Sequence, residues 1–270
     1  MRKPFLTRTF WFTIALSTGA IAALPQPAGA YRLFFGEDLN FHSNDRLSTF
    51  PNSTSAQGDF LSHLENVGTA GFDALPAGTS GQVSLDFGQA GVATLQGGGT
   101  VKRVTSGTNF GRYAISGHHY WAADASGNDF GIQFSDSVAA FGFHGVDIGD
   151  FGGLLKLNLT LANGGSQQVV IPNTSGQGGN TNGSVLYFGL IAESADEVFT
   201  GLSFDMNAPG DVDIFAFDDL TIGSLAQVKS DAALASALPP VQAVPEPGMV
   251  LAGLAGLGLG RLAQRRKRTR

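Results

Sequence analysis

The chain has no cysteine, which excludes disulfides, zinc–thiolate sites, iron–sulfur clusters and cysteine nucleophiles in one step. Charge is scarce as well. Asp, Glu, Lys and Arg together make up 14% of the 270 residues, too little for a helix-rich surface. Basic residues are nearly missing from the middle: residues 31–244 carry seven Lys and Arg against 21 Asp and Glu. A body with that balance repels nucleic acid and anionic lipid. No Gly-x-Ser-x-Gly, His-Glu-x-x-His, phosphate-binding or dinucleotide loop is present, so the common hydrolase and nucleotide chemistries have no signature. No fixed period recurs, which excludes solenoids and propellers.

Glycine and phenylalanine are abundant instead, at 38 and 21 residues. Glycine at about twice its usual share implies many turns, and the aromatic area is enough to offset chain entropy by burial. From Gly71 the apolar residues alternate, with Val83, Leu85 and Phe87 against Ser84 and Asp86, then Leu155, Leu157, Leu159 and Leu161 against Lys156, Asn158 and Thr160. That is the period of half-buried strands. Further strands are expected at 92–95, 101–104, 113–116, 131–134, 139–146, 167–171, 186–191, 199–205 and 214–222, separated by turns such as Gly97-Gly98-Gly99. One helix is expected over Ser55–Val67, with Phe60, Leu61, Leu64 and Val67 on one face and Ser53, Thr54 or Ser55 as cap. The expectation is a mainly β protein: an antiparallel two-sheet sandwich, jelly-roll-like, with one short N-terminal helix.

The two ends read as addresses. Arg2, Lys3 and Arg8, an apolar stretch from Phe10 to Leu24, and Ala28-Gly29-Ala30 are the three regions of a secretory signal peptide. At the other end, Pro245-Glu246-Pro247 precedes thirteen uncharged residues, 248–260, and then Arg261, Arg265, Arg266, Lys267, Arg268 and Arg270. As a helix the uncharged run is about 20 Å long, and snorkelling of Arg261 with local thinning lets it cross the membrane. The basic tail stays cytoplasmic and the body lies outside the inner membrane. The chain thus divides into a signal peptide helix at 1–30, an extension with one helix at 31–67, a β-sandwich body at 68–225, a linker at 226–244 and a terminal signal with a transmembrane helix at 245–270.

This terminal arrangement resembles the PEP-CTERM sorting signal of exported Gram-negative and cyanobacterial proteins. The resemblance implies passage through the Sec translocon, a signal peptidase, and an exosortase acting near Pro245-Glu246-Pro247. It also implies transient inner-membrane anchoring, then a place at the cell surface or in an exopolysaccharide biofilm matrix. Phe35-Gly36-Glu37-Asp38, Tyr113-Ala114-Ile115-Ser116-Gly117, Phe141-Gly142-Phe143 and Phe215-Ala216-Phe217-Asp218-Asp219 resemble bodies of that class, which bring no established activity.

Three groups of residues could carry chemistry. Asp218-Asp219 sits in an apolar final strand, where alternation sends one carboxylate inward unless it is paired or holds a cation. The pair resembles the cation strand of calcium-stabilised carbohydrate-binding modules, and with Asp73 it forms the expected site for a structural Ca²⁺. His119, Tyr120 and Trp121 form an amphipathic cluster suited to stacking on a sugar, the alternative being a strand that buries one ring and exposes the next. His42, His63 and His144 are isolated and are expected to have no role. Asp147, Asp150, Asp211 and Asp213 lie in Gly-rich loops and are expected to form turns. The functional expectation is a non-catalytic polysaccharide-binding or matrix module. The alternatives are a structural surface protein without a small ligand and a weak glycan hydrolase.

Overall fold

Alternating and fully apolar stretches both become strands, and the computed structural model shows which faces each one buries. It describes residues 31–125, 129–149, 152–176, 181–207 and 213–230; the expected signal peptide, most of the expected linker and the whole of the expected terminal sorting signal lie outside the described residues. The strands are β1 (Arg32–Asp38), β2 (Thr69–Ala70), β3 (Val83–Asp86), β4 (Val92–Gly97), β5 (Gly99–Arg103), β6 (His119–Asp124) and β7 (Phe130–Val138). They continue with β8 (Ala140–Val146), β9 (Leu154–Leu161), β10 (Ser166–Val170), β11 (Val185–Ile191), β12 (Phe199–Asn207) and β13 (Ile214–Gly223). One α-helix, α1 (Pro51–Ser62), lies between β1 and β2.

These strands make two sheets, ordered β1-β11-β8-β13-β6-β5 with β2 also on β13, and β10-β9-β12-β7-β4-β3. Every pairing is antiparallel. Phe130, Phe141, Phe143, Phe204, Phe215 and Phe217 fill the space between the sheets, packing as stacked and edge-on rings, with Phe130 and Phe204 centroids 4.6 Å apart. The second sheet turns polar residues to solvent, as in Lys156, Asn158 and Thr160 of β9. The central strands of the first sheet, β8 and β11, do not.

On the outer face of the first sheet lies another apolar layer. Helix α1 packs Phe60 against Phe34, Ala140, Tyr187 and Ile191, and the ring lies on a flat patch left by two glycines. A Cβ at Gly189 would come within 2.6 Å of Phe60 Cδ2, and one at Gly142 within 3.0 Å of its Cε1. Beside the helix, the irregular segments around residues 47–50 and 104–115 cover Tyr120, Ala122, Val146, Val185 and Ala216. This cover explains why β8 and β11 are buried at every position.

Four sequence expectations need correction. The helix runs over Pro51–Ser62 rather than 55–67, because its first free amides are capped from outside: Asn52 N and Ser53 N donate to the Asp38 carboxylate at 3.1 and 2.9 Å. Residues 31–67 are no separate extension, since β1 pairs along its length with β11. The 113–116 stretch is not a strand but crosses the outer face, with Tyr113 Oη donating to Gly183 O at 2.9 Å. The unit continues past residue 225 to Lys229, where Lys229 N donates to His63 O at 2.9 Å.

Candidate functional site

Strand β13 sends Phe215 and Phe217 into the inter-sheet core and pairs Asp218 with His144 of β8. The register then slips, so that Thr221 rather than the residue before it meets Gly142. Asp219 takes up the extra residue at φ +49°, a β-bulge. Both carboxylates therefore project from the outer face, and Leu220 resumes the inward positions. Simple alternation, which would have driven one aspartate into the core, fails at this bulge.

The segment after β2 brings Asp73 to the same loop. Asp218 Oδ2 accepts from Ile115 N at 2.9 Å and Ser116 N at 3.3 Å, and its Oδ1 accepts from Asp219 N at 2.9 Å. Asp219 Oδ1 accepts from Ser116 Oγ at 2.5 Å. Asp73 Oδ1 accepts from His118 N and His119 N at 2.9 and 3.1 Å. The three aspartates thus meet one loop, residues 115–119: Asp218 and Asp73 through its backbone amides and Asp219 through the Ser116 hydroxyl. Gly117 at φ +62° is required there, because a Cβ would coincide with the Asp73 carboxylate. Among the described residues, no group of three or more His, Asp or Glu side chains is arranged to hold a metal ion.

Electrostatics at this cluster run against ionisation. Burial pushes the Asp218 carboxyl well above the usual range, the neighbouring Asp219 charge adds to it, and the amide donors oppose it. Asp219 is raised by burial, an effect its Ser116 bond opposes and Asp73 reinforces. Behind them lies His144, held by burial at a pKa of about 4, with no hydrogen-bond partner on either ring nitrogen. Tyr187 crosses its ring edge-on at 4.9 Å, and its hydroxyl is buried without a partner. The sequence expectation assigned His144 no role and did not single out Tyr187. Their signal was weak, a lone His and a lone Tyr in strands with no visible polar partner.

The expected Tyr-Trp sugar platform is not formed. Tyr120 and Trp121 are both 0% exposed. Trp121 points into the inter-sheet core beside Phe72 and Phe130, and Tyr120 lies under the outer cover, where its hydroxyl accepts from Asn109 Nδ2 at 3.2 Å. The cover makes both faces of this strand interior, so alternation no longer exposes a ring. His119 Nδ1 stands 3.4 Å from Asp73 Oδ1, its Nε2 buried without a partner. Asp147 accepts from Gly183 N at 3.1 Å and faces Arg112 at 3.6 Å, and Asp213 accepts from Gly149 N at 3.0 Å; both are buried and hold distant segments together, rather than closing the local turns expected of them. Asp150, Asp211, Pro245, Glu246, Pro247 and the flanking Arg261, Arg265, Arg266, Lys267 and Arg268 lie outside the described residues.

No protein-family model matches the chain, nor does any curated protein or any solved structure. The fold and site define it as an antiparallel two-sheet β protein with one covering helix.

Proposed function

We propose that this is an exported protein carrying an exosortase-type sorting signal, whose body is a non-catalytic polysaccharide-binding or matrix module. The observation that carries the reading is the order at the C-terminus: Pro245-Glu246-Pro247, thirteen uncharged residues, then an Arg-rich end. Cations that remain on the cytoplasmic side hold the segment in the inner membrane, while two prolines keep the motif extended and out of the helix that follows. After processing, the body passes to the surface or matrix.

The order in which consecutive strands pass between the two sheets supports a jelly-roll-like winding, an architecture that lectin domains also use. The aspartates Asp73, Asp218 and Asp219 are engaged by backbone amides and a serine hydroxyl rather than poised across a cleft, which supports a non-catalytic reading. In this proposal those amides also supply the positive partners that calcium was expected to supply. Two measurements test the whole. Glu246→Ala with Pro247→Ala should leave the body in the inner-membrane fraction, whereas unchanged release would remove the sorting proposal. The melting temperature should be the same in excess chelator and in millimolar Ca²⁺; a rise with Ca²⁺ would restore the cation.

A further inference from the structure

Between β5 and β6 the chain makes a tight turn, Asn109-Phe110-Gly111-Arg112, closed by Asn109 N donating to Arg112 O at 2.8 Å and Arg112 N donating to Asn109 O at 3.3 Å. Phe110 and Gly111 have φ of +54° and +88°, the left-handed pair of a type I′ turn. Asn, Asp or Gly ordinarily fills the first of those positions, because a Cβ is unfavourable there. Here it is held by a phenyl ring that is 79% exposed. Neither burial nor backbone preference accounts for that choice, and strain of this kind persists where function requires it.

The turn is rigidly seated. Gly111 N donates to Ser43 O at 2.9 Å, Asn109 Nδ2 to the buried Tyr120 hydroxyl at 3.2 Å, and Arg112 Nη1 to Ile214 O at 2.7 Å. Beside the ring opens a cleft of about 470 Å³, with Thr100, Lys102, Asn109, Arg112 and Asp124 among its walls. Its charge is unlike the rest of the body. Lys102 and Arg112 line it beside a single carboxylate, Asp124, and Arg112 is also engaged by Asp147 at 3.6 Å. Among the described residues Lys102 has no acidic partner.

We infer that this cleft binds a uronic acid unit of an acidic polysaccharide, with Phe110 stacked on the sugar ring and Lys102 paired to its carboxylate. The set of wall groups selects the class. A flat exposed ring stacks on a C–H face, and an exposed ammonium with no acidic partner among the described residues pairs with an anion. A phosphate or sulfate ion offers no C–H face, and a neutral glucan offers no anion. The inference deepens the polysaccharide-binding proposal and rests on it.

The test is affinity electrophoresis of the full-length protein in detergent, in native gels containing polygalacturonate, alginate or dextran. Retardation is expected in the uronate gels and not in dextran, and it should weaken as salt rises. Phe110→Asn should raise the apparent dissociation constant at least tenfold while leaving the melting temperature equal or higher, since Asn suits the turn. Lys102→Gln should abolish most of the salt dependence. Retardation by dextran equal to that by the uronates, or retention of wild-type retardation by Phe110→Asn, would overturn this site and leave the broader glycan reading standing. Wild-type protein retarded by none of the three gels would overturn both.

Discussion

His144 Nδ1 stands 3.9 Å from Asp219 Oδ2 across the outer face of the first sheet, and neither ring nitrogen has a hydrogen-bond partner. A histidine so placed resists protonation on folding. Its neighbours on that face are Asp218, opposite it in register, Tyr187 and Phe50. The pair thus joins a base whose protonation burial disfavours to carboxyls whose ionisation burial disfavours.

Stability should therefore depend on pH through opposing contributions. His144 titrates near 6.5 when unfolded and about 4 when folded, so its contribution is present above 6.5 and is lost as pH falls towards 4, by about 3 kcal/mol in all. Asp218 and Asp219 have raised folded values, so their contribution is present below about 3.8 and is lost as pH rises through those values. In urea unfolding, His144→Phe should lose less stability than wild type between pH 7 and pH 4.5. An identical pH profile for the two proteins would contradict the assignment.

At Asp218 a neutral amide is a better substitute than a truncation. Asp218→Ala leaves the Ile115 and Ser116 amides without their acceptor and should cost about 2–3 kcal/mol. Asp218→Asn keeps an acceptor oxygen for those amides and should cost less than half as much, measured by urea unfolding at pH 7.

Gly117 and Asp73 should behave as one unit. Gly117→Ala places a methyl group where the Asp73 carboxylate lies and strains a positive φ, for a cost of about 2 kcal/mol or more. Asp73→Ala removes the acceptor of His118 N and His119 N. The double variant should be less destabilised than the sum of the two single changes, because the clash disappears with its partner.

The helix rests on one ring. Phe60→Ala should cost about 3–5 kcal/mol, since Phe60 is 0% exposed and packs on Phe34 and Tyr187. Gly189→Ala should also destabilise by overpacking the same ring. Combining Gly189→Ala with Phe60→Leu should recover part of that loss in equilibrium unfolding.

Much of the architecture was legible because strands with one solvated face advertise themselves. β3 and β9 alternate visibly, and they lie in the sheet whose outer face meets water. β8 and β11 were legible as strands, yet nothing in their uniformly apolar sequence said that a second layer covers them. That layer buried Tyr120 and Trp121 and cancelled the expected sugar platform. The helix start was misplaced because its cap, Asp38, comes from a strand fourteen residues earlier.

By itself the sequence determined the composition of a turn-rich β sandwich, the acidity of its body and the order of apolar and basic segments at its ends, because period, charge and segment order are local properties of a chain. Only the tertiary structure decided that Asp218 and Asp219 share a face, that three aspartates hold one loop, and that Phe110 stands in solvent beside a cleft that Lys102 lines. Each of those depends on a register slip or on cover from residues far along the chain. Such contacts form only when the whole sheet closes.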